Sequence, residues 1–393
     1  MLERIDPDAM LGQVEGWSAV NTGTGNLAGL ARQADLLVDA FSALPGTVRL
    51  EEPATVDAVD AAGQRASVSH GRNLVVSVRP DAPRRLLLTG HMDTVYPPGS
   101  PFQMTRWLDD CTLNGPGVAD MKGGLAVMLA ALTAFERHAA ALQCGYDVVV
   151  NSDEEAGSPG SAPLIASLAK GKLAALTYEP SLLPDGTLAG ERGGSANYSV
   201  VITGRSAHAG RNPAAGRNAI VAAAALVLGL KRLERDGLTV NPARIEGGSA
   251  NNVVPDIAVV RFNARPASAA MADFLSISIN SLIAETEVEH EVSVALHGGL
   301  SRPPKPLDPR AVSLFELVRA CGSDLGQPLR WQRSGGVCDG NNIASCGVPV
   351  VDTMGVRGGA IHSPDEYLIV PSLAERAALS ALMLARLAEG GLP

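Results

Sequence analysis

The chain is predicted to fold as an α/β protein, with a mainly parallel mixed sheet covered by helices on both faces and a smaller α+β domain inserted into it. Three observations carry this expectation. Apolar, β-branched runs followed by Gly-rich turns and then helical periodicity recur through the first half. From residue 197 the texture changes to alternating strands separated by helices. The length, 393 residues, exceeds what one core usually supports, so two domains of unequal size are expected.

In chain order, the apolar spacing predicts a helix over 28–43, strands over 73–78 and 85–89, a helix over 124–138, a strand over 146–151, a helix over 162–170 and a strand over 173–178. Short buried strands alternating with helices imply a largely parallel sheet with both faces covered. Next, 198–203 alternates, an Ala-rich helix runs over about 218–235, and 253–263 alternates again. A helix over 268–284 and a strand over 288–296 complete a unit of about a hundred residues, the size of a small separate domain. The Pro-rich segment 301–309 reads as a stiff return linker. A helix over 309–321, a strand over 349–354 and a last helix over 372–388 rejoin the first layer. The expected boundaries are therefore 1–192 and 302–393 for the larger domain and 193–301 for the insertion.

Composition narrows the partners. With 32 Lys and Arg against 41 Asp and Glu, the net charge is -9, there is no basic stripe, and aromatic residues are scattered. No nucleic-acid partner is expected from such a surface. The longest purely apolar stretch, 219–230, falls short of the roughly 20 residues a membrane helix needs, so no membrane partner is expected either. The N-terminus lacks a basic start followed by an apolar run, which makes a cytoplasmic location the expectation. Cys111, Cys144, Cys321, Cys338 and Cys346 are odd in number and form no C-x-x-C, so they suggest neither a disulfide framework nor a thiolate zinc site.

Three polar clusters fall at the ends of predicted parallel strands, where open α/β sheets bind ligands. The strand over 85–89 runs into His91 and Asp93, the strand over 146–151 into Asp153, Glu154 and Glu155, and the strand over 173–178 into Glu179. Between the first two, a Gly-rich loop over 114–124 delivers Asp120 just before a helix, and near the C-terminus a second loop carries His362. Two imidazoles and three carboxylates without thiolates suit a pair of zinc-like dications. An Asp can bridge two such ions, because each of its oxygens can bind one. Asp93, two residues after His91, is placed to accept the free imidazole N–H. Glu154, beside the ligand candidate Glu155, is the natural general base. Taken singly, a His after a strand is usually a capping residue, and adjacent acids suit a helix start. The coincidence of five clusters favours the metal reading.

These motifs, His91-x-Asp93, the Gly115-to-Gly124 loop, Asp153-Glu154-Glu155 and Ile361-His362-Ser363, resemble the M20 metallopeptidase family, in particular its glutamate carboxypeptidase (carboxypeptidase G2-like) and acetylornithine deacetylase-related members. The resemblance spans nearly the whole chain. It implies two Zn2+ ions, with Co2+ or Mn2+ as substitutes, one held by His91 and Glu179 and the other by Glu155 and His362, with Asp120 bridging and the peptide bond after it cis. It also implies that the insertion is a lid and dimerisation domain, and hence a homodimer. His208 would stabilise the oxyanion, while Asn252 and Arg265 would hold the substrate backbone and its carboxylate. The loop over 334–341, with Gly336 and Cys338, matches the substrate floor, where Ser or Thr commonly stands in place of Cys338. A nucleophilic Cys338 is disfavoured because no activating base accompanies it. Asn341 stands where the family's succinyl-diaminopimelate desuccinylases tend to have Arg.

The expected function is hydrolysis of a peptide or N-acyl amide bond that releases a C-terminal amino acid, glutamate in the first instance, with Glu154, Asp93 and His208 as the catalytic set. Glu rather than Asp at 179 favours carboxypeptidases and deacylases in this family. The near alternative is an N-acyl-amino-acid deacylase of the acetylornithine type. A distant one, a nucleotide-binding oxidoreductase, is prompted by Gly23-Thr24-Gly25 and Gly29, whose last glycine is off the dinucleotide spacing. A binding protein without catalysis is disfavoured by the complete donor set with Glu154.

Overall fold

The computed structural model describes residues 2–390 and residue 392; residues 1, 391 and 393, at the ends of the expected larger domain, lie outside the described residues. Two compact units result. The first comprises Met1–Ala54, Ser69–Glu191 and Pro306–Pro393, the second Thr55–Val68 and Arg192–Lys305.

In the first unit, a six-stranded sheet runs in the order Thr47–Glu51, Asn73–Val78, Cys144–Asn151, Arg84–His91, Ala174–Thr177, Val350–Val351. The last four strands are parallel, and Asn73–Val78 runs antiparallel to both of its neighbours, Thr47–Glu51 and Cys144–Asn151. The fold class is thus a mixed, mainly parallel α/β sheet. Register explains where chemistry collects: His91 lies opposite Asn151 and Thr89 opposite Thr177. The segments after these three strands therefore leave the sheet at one edge.

The strands are apolar on both faces because helices cover both. On one side, Gly123–Phe135 packs between Pro7–Ser18 and Ser372–Gly390. Together with the preceding π-turn it forms Val118–Phe135, long and apolar enough by composition to cross a membrane, yet 89% buried within the protein. It is a core helix. On the opposite side, Ala162–Ala169 and Asp339–Ser345 pack together, with Ile165, Ala169 and Ile343 fully buried beside Leu87, Val149 and Ala175 of the sheet. The helix Pro7–Ser18 is absent from the expected element list, although Asp6 accepts from the amides of Asp8 and Ala9 and Pro7 opens the helix, both ordinary N-terminal signals.

The second unit is a four-stranded antiparallel sheet, ordered Leu238–Gly247, Ile257–Pro266, Ser195–Thr203, Ser293–Arg302, with Ala219–Arg232 and Ala269–His290 packed on it. Its core joins Val200, Ile202, Leu226, Leu230, Phe262 and Ile279. Three expectations change here. Residues 288–290 end a helix rather than open a strand; the helix stops at Glu291, whose φ of 51° turns the chain. The edge strand Leu238–Gly247 was not anticipated, because Pro242 sits at a break in register and most of its side chains face water. The hairpin Val56–Val59 with Arg65–Val68 belongs to this unit, not to the larger domain, and its Val59 joins Val201 and Val259 in a small cluster.

Candidate metal centre

His91 ends the strand Arg84–His91 and is buried. Its Nδ1 lies 3.0 Å from the Asp93 carbonyl oxygen and 3.4 Å from the Asp93 carboxylate. The backbone oxygen is the nearer partner, so the tautomer is fixed by Asp93 chiefly through its main chain. That leaves Nε2 facing Asp120 Oδ1 at 3.1 Å and Glu179 Oε2 at 3.7 Å. On the other side of Asp120, Oδ2 lies 3.3 Å from His362 Nε2, which is 3.2 Å from Glu155 Oε2. Two donor groups follow, His91–Asp120–Glu179 and Asp120–Glu155–His362, each with its ligand atoms within 4.8 Å of one another.

The buried Asp93 carboxylate has a task that the sequence did not reveal. It accepts from the amides of Glu154 and Glu155, each at 3.1 Å, and from the Thr24 hydroxyl at 2.8 Å. One side chain thereby fixes the turn that presents both acids. The Gly23-to-Gly29 segment is absorbed by this scaffold: Gly23 bridges to Thr94, and Asn26 caps the helix Leu27–Phe41 by accepting from Gly29. Asp153 closes the same turn, accepting from Gly160 at 2.6 Å and Ser161 at 2.5 Å.

Asp120 is held by its own backbone. Glu366 accepts from the amides of Ala119 and Asp120 at 3.0 Å, from Gly117 at 3.2 Å and from the Tyr96 hydroxyl at 2.8 Å. Asn114 donates to the carbonyls of Pro364 and Glu366, tying the loop that carries His362 to the one that carries Asp120. Sequence reasoning missed Glu366, Tyr96, Asn114 and Thr24 as parts of the site. The Asp120–Met121 peptide bond is cis. Lys122 next to it is buried, donating to the carbonyls of Trp17 and Val20. Burial pushes its ammonium down to about 7. Two glycines permit the loop. Gly117 has φ of 72°, and a Cβ at Gly124 would stand 2.0 Å from the Tyr178 carbonyl oxygen.

Electrostatics show what the cluster is suited to hold. Burial, then the Asp120 charge, pushes the Glu155 carboxyl up to about 7, and burial pushes Glu179 up to about 8 against the pull of His91. Hydrogen bonds to Asp120 and Glu155 raise the His362 imidazole to about 11. Burial opposes charge on His91, but Glu179, Asp120 and Asp93 outweigh it and hold that imidazole well above its usual range. Burial likewise opposes ionisation of Asp120, and the two imidazoles outweigh it, holding its carboxyl below the usual range. Carboxylates gathered this tightly call for positive charge, and the imidazole and carboxylate donors fit dications. The Glu154 carboxylate is near enough for its charge to raise Glu179.

The remaining candidates fall into two places. Cys338 is buried in the first unit at the start of the helix Asp339–Ser345, its amide donating to Asn341 Oδ1 at 3.2 Å, while the Gly336 amide donates to Ser334 Oγ. Asp339 docks this loop onto the acid-bearing turn by accepting from Asn151 at 2.8 Å and Ser158 at 2.6 Å. The five cysteines are free thiols. In the second unit, the ribbon Ala207–His208 with Val253–Val254 brings His208 next to Asn252, whose carbonyl accepts from Ala209. His208 Nδ1 accepts from the amides of Gly210 and Arg211, which leaves the proton on Nε2. Arg265 is exposed on the strand Ile257–Pro266 and donates to Asn263 Oδ1.

Comparison with known proteins places this geometry. Residues 87–386, a span containing all five donors, match Peptidase family M20/M25/M40. Over 382 residues the chain is 29% identical to carboxypeptidase G2 of Pseudomonas sp. (strain RS-16), covering 94% of this chain and 87% of that protein. It is 31% identical over 329 residues to succinyl-diaminopimelate desuccinylase of Xanthomonas oryzae pv. oryzae (strain PXO99A), covering 77% and 83%. Among solved structures, the Bacillus subtilis YXEP protein, described as a dinuclear metal binding peptidase from the M20 family, shares the fold at a TM-score of 0.67 and 14% identity over 98% of both chains. With the matched span covering most of its length, the chain belongs to Peptidase family M20/M25/M40.

Proposed function

We propose that this M20 metallopeptidase is a carboxypeptidase that hydrolyses a peptide or N-acyl amide bond and releases a C-terminal amino acid, with glutamate as the favoured product. The observation that carries the metal chemistry is the two-sided Asp120, whose oxygens face different imidazoles at 3.1 and 3.3 Å. In this reading His91 and Glu179 hold one zinc ion, Glu155 and His362 the other, and Asp120 both; cobalt or manganese would substitute. When bound, the cations supply Lewis acidity, drawing charge from a carbonyl oxygen and lowering the pKa of water.

The rest is done by the chain. Glu154 takes the proton from the attacking water at its carboxylate and hands it to the leaving nitrogen. Asp93 keeps Glu154 and Glu155 in register through the two amide hydrogen bonds. His208 offers its Nε2–H to the developing oxyanion. Asn252 and Arg265 hold the substrate backbone and free carboxylate, for which a guanidinium fork is suited, and the loop of Gly336 and Cys338 forms the floor. The reading includes a homodimer and a cytoplasmic location, to be checked by light scattering and by fractionation.

Support for the glutamate preference comes from the similarity to carboxypeptidase G2 across 94% of the chain, while Glu at 179 favours carboxypeptidases and deacylases alike. A second reading, N-acyl-amino-acid deacylation of the acetylornithine type, keeps the same machinery, and the desuccinylase relatives favour amide substrates of that kind. Asn341, which lies where desuccinylases tend to carry Arg, is uncharged and buried. A panel of dipeptides ending in glutamate, N-acyl glutamates, acetylornithine and N-succinyl-diaminopimelate separates the readings. Release of C-terminal glutamate is expected to be fastest. Turnover of acetylornithine without any glutamate release would end the carboxypeptidase reading.

A further inference from the structure

In the first unit, His70 lies just before the strand Asn73–Val78, and its side chain is 5% exposed. Neither ring nitrogen has a hydrogen-bond partner among the described residues, and the reaction proposed above gives this imidazole no task. What it faces is the acid-bearing turn. Its Nδ1 stands 4.0 Å from Asp153 Oδ2, and no other basic side chain of the described residues comes that close to this fully buried carboxylate. Gly160 borders both groups: a Cβ there would lie 3.1 Å from Asp153 Oδ2 and 3.4 Å from His70 Cδ2. Next to His70, the Gly71 carbonyl accepts from Ser152 Oγ at 2.6 Å, which docks its backbone onto the same turn.

We infer that His70 is a positioning residue for Glu154, acting through Asp153. The role rests on the hydrolytic reading above, in which Glu154 moves the proton. Asp93 grips the front of the turn by its bonds to the amides of Glu154 and Glu155. Asp153 closes the back, its Oδ1 accepting from the Ser161 hydroxyl at 2.5 Å and its Oδ2 from the Gly160 amide at 2.6 Å. A carboxylate oxygen has room for a second donor, and at Oδ2 that donor is the Nδ1–H of His70. The gap of 4.0 Å is too long for a direct hydrogen bond and suits one bridging water. A buried imidazole with both nitrogens unpaired is costly, and a buried carboxylate gains from every donor, so the bridge serves both. Asp153 is the peptide neighbour of Glu154, and a carboxylate free to swing would carry the Glu154 backbone with it. The chemistry tolerates little of that, because a general base must stay within hydrogen-bond reach of its proton and a misplacement of about 1 Å can cost about 10²-fold. Substrate is held by other groups, so the loss belongs in kcat.

The test compares, in the full chain, His70→Leu, which fills the space without a donor, with His70→Asn, whose amide nitrogen can stand where Nδ1 does. Loaded with Co2+, His70→Leu should lose about tenfold in kcat on the best substrate of the panel above, with KM held within about twofold. Its visible cobalt bands should shift, because Glu155 moves with the turn. His70→Asn should restore both kcat and the wild-type spectrum. Independently of metal and turnover, amide exchange over 153–161 should quicken in His70→Leu and not in His70→Asn. A wild-type kcat and cobalt spectrum in His70→Leu would overturn the assignment. So would a His70→Asn variant as impaired as His70→Leu, which would reduce the ring to a space filler. A wild-type protein inert on the whole panel would instead end the carboxypeptidase reading, and the cobalt spectra and exchange rates would still decide whether His70 holds the turn. If His70→Leu does not fold, His70→Gln, whose amide reaches the place of Nε2, replaces it.

Discussion

At the scale of single residues, Glu154 and the donors around Asp120 carry the sharpest expectations. In the proposed mechanism Glu154→Gln removes the proton carrier and none of the five donors, so kcat should fall about 10²- to 10⁴-fold while metal content by elemental analysis stays unchanged. The raised groups predict a proton linkage. Glu155 at about 7, Glu179 at about 8 and His362 at about 11 stand above their ordinary values and hold protons near neutrality in the metal-free chain. A dication must displace those protons. Apparent metal affinity should therefore climb as pH rises from about 7 toward 11 and weaken below it. Calorimetric titrations in buffers of different ionisation enthalpy would measure the protons released, and zero release would contradict the assignment. His91, Asp120, Glu155 and Glu179 were legible in the sequence because each follows a strand or opens a helix in a recognisable pattern, and His362 because its loop completes the motif set. Glu366 and Thr24 were not, since they act by bonding to backbone amides or to a carboxylate far away in the chain, and nothing in a residue's type announces that.

At the scale of elements, the central strands and most core helices, though not Pro7–Ser18, could be read from sequence because apolar runs and helical periodicity reflect burial on both sides. The elements that escaped, Leu238–Gly247 and the hairpin starting at Val56, face water along much of their length and carry no such pattern. The mixed character of the sheet was foreseen, but not the edge strand Thr47–Glu51, whose side chains are only partly buried. Close approach between elements yields a further prediction. The 2.0 Å that a Cβ at Gly124 would leave to the Tyr178 carbonyl oxygen can be relieved only by pushing the helix Gly123–Phe135 away from the strand end that precedes Glu179. Gly124→Ala should cost about 1–3 kcal/mol in urea unfolding and weaken metal retention in the same variant. A fully stable variant with unaltered metal affinity would show that the contact yields more readily than its geometry suggests.

At the scale of the whole molecule, two cores of separate composition coexist in one chain, and only the first unit contains the two donor groups. Removing metal should loosen one and spare the other. Hydrogen exchange followed by mass spectrometry, before and after chelation, is expected to show lost protection around 91–94, 117–122, 153–157, 179 and 360–366. Peptides from Arg192–Lys305 should be indifferent; uniform loosening would mean that the cations stabilise the protein globally. The discontinuity of the first unit also governs how the centre can be assembled. Four donors are synthesised before the larger segment of the second unit, Arg192–Lys305, and the fifth, His362, after it. A ribosome making this protein thus releases a half-built cage and completes it only once the intervening stretch has emerged, so a chain cut short anywhere before that last imidazole inherits the acids without their final counterpart.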